Sequence, residues 1–101
     1  MKKLLLTIYL SEIDMSGDLA LHEVLLRRLL HLHVSGATIT QGLMGYGRHH
    51  QVHRKRLFGV SDDRPIILSA VDDEERLRAI LPELRRLAPE SLITLQEVES
   101  I

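Results

Sequence analysis

The chain has no cysteine and no tryptophan, and its aromatic residues are two tyrosines and one phenylalanine. Without cysteine there are no disulfides, no thiolate metal sites and no cysteine nucleophile. With so few aromatics the core must be built from Leu, Ile and Val, which supply most of an apolar content of 45%. An excess of charge is lacking too: the formal net charge is -1, against the basic balance of a general nucleic-acid binder, so no nucleic-acid partner is expected. Long hydrophobic runs are also missing. The opening stretch from Met1 to Leu10 is basic and then apolar, but too short to span a bilayer. Ser11-Glu12-Ile13-Asp14 puts acids where the small-residue cleavage site of a leader would stand. The stretch reads as a buried first strand, and the protein is expected to be cytoplasmic. No serine lies in a nucleophile-elbow pattern, and the chain is expected not to be an enzyme.

The 101 residues suffice for one domain over positions 1–101. Leu4 to Leu10 is nearly continuous in apolar and β-branched residues, as in a central strand. Ser11 to Asp18 reads as a loop, with Asp18 as the N-cap of a helix from about Leu19 to Val34. Leu21, Leu25, Leu29 and Leu32 make its apolar stripe, widened by Val24, Leu26 and Leu30; Glu23, Arg27 and His31 form a polar ladder on the other side. Gly36 is the expected helix terminator. Ala37 to about Leu43 forms the second strand, with a bulge at Gly42. A loop covers Gly45 to Arg64, within which Arg56 to Val60 pairs as a short outer strand. Pro65 to Val71 is the third core strand. Asp72 or Asp73 then caps a helix to about Leu87, kinked or restarted at Pro82. Leu92 to Val98 closes the domain. Strand, helix, strand, strand, helix, strand predicts an α+β ferredoxin-like βαββαβ sandwich, a four-stranded antiparallel sheet with two helices on one face.

Chemistry is concentrated in Gly36 to Arg56. Gly42, Gly45 and Gly47 punctuate the end of a strand and lead straight into Arg48, His49, His50, His53, Arg54, Lys55 and Arg56. Glycine lets backbone N–H groups approach a ligand, and arginine with histidine beside them suits an anion. The acids lie elsewhere, with six between Asp62 and Glu75. Adjacent histidines with no carboxylate between them match no standard zinc spacing, so no metal is assigned. Arg54-Lys55-Arg56, without interleaved aromatics, fits an acidic protein partner better than nucleic acid.

Gly36-Ala37-Thr38-Ile39-Thr40, followed by Gly45-Tyr46-Gly47-Arg48, resembles the Gly-x-Thr-Val-Thr strand and Gly-Phe-Gly-Arg loop start of PII signal-transduction proteins. Gly42-Leu43-Met44-Gly45-Tyr46-Gly47 and the Pro65 to Asp72 strand look closer still to the PII-like domain-of-unknown-function family 190. The resemblance implies a homotrimeric ferredoxin-like regulator with ligand sites in inter-subunit clefts. By position, Gly45, Tyr46, Gly47, Arg48 and His49 would line a site for a small anionic metabolite, an adenine nucleotide being the candidate. Gly36, Ala37 and Thr38 would come from the neighbouring subunit, and His50, His53, Arg54, Lys55 and Arg56 would dock on a target such as a membrane transporter or channel. The glycine-rich phosphate loop of PII proteins has no counterpart; Ala88-Pro89-Glu90-Ser91 stands in its place. The CutA family, of the same trimeric architecture, provides the alternative of a divalent-metal-binding tolerance protein.

Overall fold

Strand β1 (Lys3–Ser11) buries Leu4, Leu6, Ile8 and Leu10 on one face and leaves Leu5, Thr7 and Tyr9 on the other. A computed structural model describes residues 2–47 and 64–101 of the chain. After β1 comes a feature that sequence periodicity does not announce, a two-residue-per-strand hairpin of β2 (Met15–Ser16) and β3 (Leu19–Ala20). It turns at Gly17, whose φ of +61° is a conformation that favours glycine. This hairpin takes up the residue expected to cap the first helix. Helix α1 (Leu21–His31) therefore starts at Leu21, with Ala20 at the N-cap position, and the Leu21 N–H donates to the Asp14 carbonyl at 2.8 Å.

The far end of α1 also departs from expectation. The helix ends at His31 rather than near Val34, and Gly36 plays no part in stopping it. The His33 N–H donates to the Leu30 carbonyl and the Val34 N–H to the Leu29 carbonyl, both at 3.1 Å, while His33 has φ 66°. These two bonds are a Schellman motif with histidine in the left-handed position usually held by glycine. Val34 is buried, so the motif closes over an apolar contact with the helix's last turn. Within the helix, Leu21, Leu25 and Leu29 are buried as the periodicity demands, but Leu30 is 71% exposed.

Strands β4 (Ala37–Gln41), β5 (Pro65–Asp73) and β6 (Leu92–Val98) complete an antiparallel sheet in the order β4-β5-β1-β6. With α1 and α2 (Glu74–Leu87) this is the ferredoxin-like βαββαβ arrangement. Helix α2 runs through Pro82 as one element and does not restart, burying Leu77, Ile80 and Leu84. The helices pack on the face that carries Leu6, Ile8, Leu68 and Ala70. The strand suggested for Arg56 to Val60 lies outside the described residues.

Asp72 is not a helix cap. Its carboxylate is buried, accepting from the Ser35 N–H at 2.9 Å and the Asp73 N–H at 2.7 Å, with the Arg76 Nε at 3.4 Å. It thereby ties the α1–β4 connection to the junction of β5 and α2. Burial alone would raise its pKa; the two backbone donors and the Arg76 charge outweigh that and hold it below the ordinary carboxylate value. Asp73, at the N-cap position, makes no capping bond and instead pairs with Lys3 at 2.6 Å.

Two outcomes are expected. Relieving the left-handed histidine by His33→Gly should raise stability by about 0.5–1 kcal/mol, read from the urea midpoint, and no gain would mean that the imidazole holds the turn in another way. For Asp72 the folded pKa is depressed, so its stabilisation is complete above the unfolded value and is lost as pH falls through the folded one. Asp72→Asn should cost about 1–3 kcal/mol at pH 7, and the gap to wild type should shrink below about pH 4. A gap that is the same at pH 7 and pH 3 would disprove the charge argument.

Candidate functional site

The β4–β5 ladder runs unbroken from Ala37↔Ala70 to Gln41↔Ile66 and continues with the Gly42 N–H donating to the Pro65 carbonyl at 2.8 Å. The expected bulge at Gly42 is therefore absent, and the strand stops at Gln41 rather than near Leu43. Close approach explains the glycine instead: a Cβ on Gly42 would lie 2.7 Å from Cγ of the Pro65 ring. At Gly45 the same ring would be 3.5 Å away, and at Gly47 no described residue lies within 4 Å. The chain is thus steered past Pro65 and out along the end of the sheet.

There Tyr46 and Gly47 join the wall of a cavity of 810 Å³. Its other walls are element ends: residues 9–11 finishing β1, residues 65–67 starting β5, Leu92 starting β6, Leu21 opening α1, and residues 87–91 leaving α2. Asp14 and Met15 complete it from the hairpin side. Two side chains shape these walls through hydrogen bonds to the backbone. The Asp14 Oδ2 accepts from the Ser11 N–H at 2.9 Å and holds the chain as it leaves β1. Arg85 Nη1 lies 3.1 Å from the carbonyl oxygens of Ala88 and Pro89 and 2.9 Å from that of Ser91, which fixes the α2–β6 turn. The lining is mostly apolar, with the hydroxyls of Tyr9, Ser11, Tyr46 and Ser91 and the carboxylates of Asp14 and Glu90. A concave, largely apolar space of this size with a few polar groups is what a small-molecule site requires.

Of the residues singled out in the sequence, Tyr46 and Gly47 line the cavity and Gly45 directly precedes them. Gly36, Ala37 and Thr38 lie at the other end of β4, where Ala37 and Thr38 pair with Ala70 and Ser69, so one chain does not bring them to the cavity. Arg48, His49, His50, His53, Arg54, Lys55 and Arg56 lie outside the described residues. Among the described residues no group of three or more His, Asp or Glu side chains is placed to hold a metal ion. Sequence reasoning missed Tyr9, Ser11, Asp14, Met15 and the lining of the α2–β6 turn. Asp14 three residues after Ser11, and a proline-containing turn following an arginine-rich helix end, were the signals available.

A family profile described as "Uncharacterized ACR, COG1993" (DUF190) matches residues 3–100. The chain belongs to this family. Its relatives include two UPF0166 proteins of Aquifex aeolicus (strain VF5). One is 31% identical over 99% of this chain and 94% of its own length, the other 27% identical over 98% and 97%. A UPF0166 protein of Methanocaldococcus jannaschii is 34% identical over 82% of this chain and 76% of its own. Among solved structures, CPII, a nitrogen regulatory PII-like protein from Thiomonas intermedia K12 bound to ADP, AMP and bicarbonate, superposes with a TM-score of 0.71. It is 20% identical over 99% of this chain and 89% of CPII. This DUF190 chain therefore has the PII-like form of the ferredoxin-like fold. No helix among the described residues is long and apolar enough to cross a membrane.

Gly42→Ala tests how the loop is steered. Forcing a methyl against the Pro65 ring should cost about 1–3 kcal/mol in chemical denaturation. An unchanged midpoint would mean that the ring yields freely and that Gly42 does not set the path of the chain.

Proposed function

We propose that this DUF190 protein is a PII-like regulatory module rather than an enzyme. It binds a small anionic ligand, an adenine nucleotide, at the end of its sheet and docks on a target protein. The observation that carries this reading is the 810 Å³ cavity, in which the glycine-punctuated segment with Tyr46 and Gly47 faces the α2–β6 turn. An aromatic ring at the mouth of an apolar cleft suits a nucleobase, because every base has a π-face to stack. No described residue stands within 4 Å of where a Cβ on Gly47 would lie, which suits a ligand approaching the backbone there. Arg48 and His49 follow in sequence and are assigned the contacts to the anionic group. That CPII, which shares the fold, is bound to ADP, AMP and bicarbonate supports a ligand of this class.

In this reading the protein is a cytoplasmic homotrimer. The sheet face away from the helices carries Leu5, Tyr9, Ile67, Val71 and Leu92, with Tyr9, Val71 and Leu92 40–61% exposed in the single chain. Packing these faces together would cover them, and would let Gly36, Ala37 and Thr38 of one subunit meet the cavity of the next. His50, His53, Arg54, Lys55 and Arg56 form the docking element for a membrane transporter or channel.

Light scattering at micromolar concentration should give three times the 11.5 kDa chain mass; a monomer would eliminate the assembly. Calorimetric titration with ATP, ADP, AMP and cyclic AMP should show binding by wild type. Tyr46→Ala should weaken it by about tenfold or more, as expected for a lost stacking contact. Gly47→Val should weaken it further. Unchanged affinity in both variants would place the ligand elsewhere, and no binding to any of the four would remove the nucleotide reading.

A further inference from the structure

Resting on the reading of the cavity as a nucleotide site, we propose that Arg85 is a positioning residue for its ligand, holding the α2–β6 turn in binding shape without lining the cavity itself. The need for such a residue begins in the sequence. Pro89 has no N–H and disfavours helical geometry in the residue before it, and Ala88 has φ -126° and ψ 70°. The last carbonyls of a helix lack intrahelical partners and must find others. The left-handed motif that ends α1 does not serve here, because the positive-φ positions among the described residues are Gly17 and His33.

Arg85 supplies the partner from the last turn of α2. With its Nη1 3.1 Å from the carbonyl oxygens of Ala88 and Pro89 and 2.9 Å from that of Ser91, three acceptors of one turn gather about one cationic nitrogen. Ala88 anchors the start of the turn: it is buried, and its N–H donates to the Leu84 carbonyl at 2.9 Å. Further on, the Ser91 N–H reaches the Ala88 carbonyl only at 3.4 Å. Residues 87–91 line the cavity and Arg85 does not, so its effect on a ligand passes through the shape of this wall. A wall that holds its binding form only part of the time lowers apparent affinity by that fraction. Because a single nitrogen makes all three contacts, a lysine ammonium with three N–H donors is the conservative replacement. Methionine keeps the stem but removes charge and donors.

The test is calorimetric titration of full-length wild type, Arg85→Met and Arg85→Lys with AMP, ADP and ATP. For each nucleotide that wild type binds, the methionine variant should be weaker by about fivefold or more and the lysine variant within about twofold. Amide exchange at residues 90–91, read without ligand, should speed up by about fivefold in the methionine variant. Arg85 is exposed, so the urea midpoint should move far less than in the core truncation Leu84→Ala. Equal affinity or equal exchange in wild type and Arg85→Met would overturn the positioning role and leave the nucleotide reading standing. A lysine variant as weak as the methionine variant would overturn the carbonyl account. A midpoint as low as that of Leu84→Ala would make Arg85 a general stabiliser and overturn the role as well. Binding of none of the three nucleotides by wild type would overturn both this role and the nucleotide reading.

Discussion

Strand β1 is hydrogen-bonded along both edges, to β5 from Lys3↔Asp73 to Ser11↔Pro65 and to β6 from Lys3↔Val98 to Tyr9↔Leu92. The other elements take their positions from these two ladders. Because side chains alternate across a strand, a slip of one residue would exchange Leu6 and Ile8 for Thr7 and Tyr9 in the core. The register also arranges the face away from the helices into rows. Thr38, Ser69, Thr7 and Thr94 align as a band of hydroxyls, bordered on one side by Ile67, Tyr9 and Leu92 and on the other by Val71 and Leu5. A sheet face of this composition is neither a normal solvated surface nor a core, which is why the proposed trimer is built on it.

The two ends of the sheet are treated differently. At the end where Lys3 opposes Asp73, the buried Asp72 carboxylate, the Lys3–Asp73 pair and Arg76 lock the chain crossings together. At the other end, where Ser11 opposes Pro65, the strands stop and the connecting segments surround a hollow. Asp14 and Arg85 brace that rim through backbone atoms, leaving the interior apolar. A rigid scaffold that ends in shaped loops is the usual setting for a binding site. Here the scaffold supplies the volume, and the glycine-punctuated segment supplies one wall.

The positions of the strands and helices were legible because each carries its own periodicity. β6 matched to the residue, β5 differed only at its end, and α2 differed at its start and in running through Pro82 without a restart. What the sequence hid were features decided by competition between neighbours. The hairpin at Gly17 displaced Asp18 from its expected capping role. A buried Val34, with His33 in the left-handed position before it, ended α1 at His31, ahead of the better local terminator, Gly36. Gly42 looked like a bulge because an isolated glycine in a strand often marks one; its reason is the Pro65 ring across the ladder, twenty-three residues away in sequence.

The amino-acid sequence by itself determined the order of elements, the apolar face of each, the absence of disulfide and thiolate chemistry, and the one segment where glycine meets a cluster of cations. Those follow from local spacing and residue chemistry, which act within a few positions along the chain. Only the tertiary structure decided that Tyr46 faces the turn of residues 87–91 and that Asp72 is a buried clamp rather than a cap. Such relations join residues tens of positions apart, and they are set by strand register and by where each ladder ends. No local pattern encodes either.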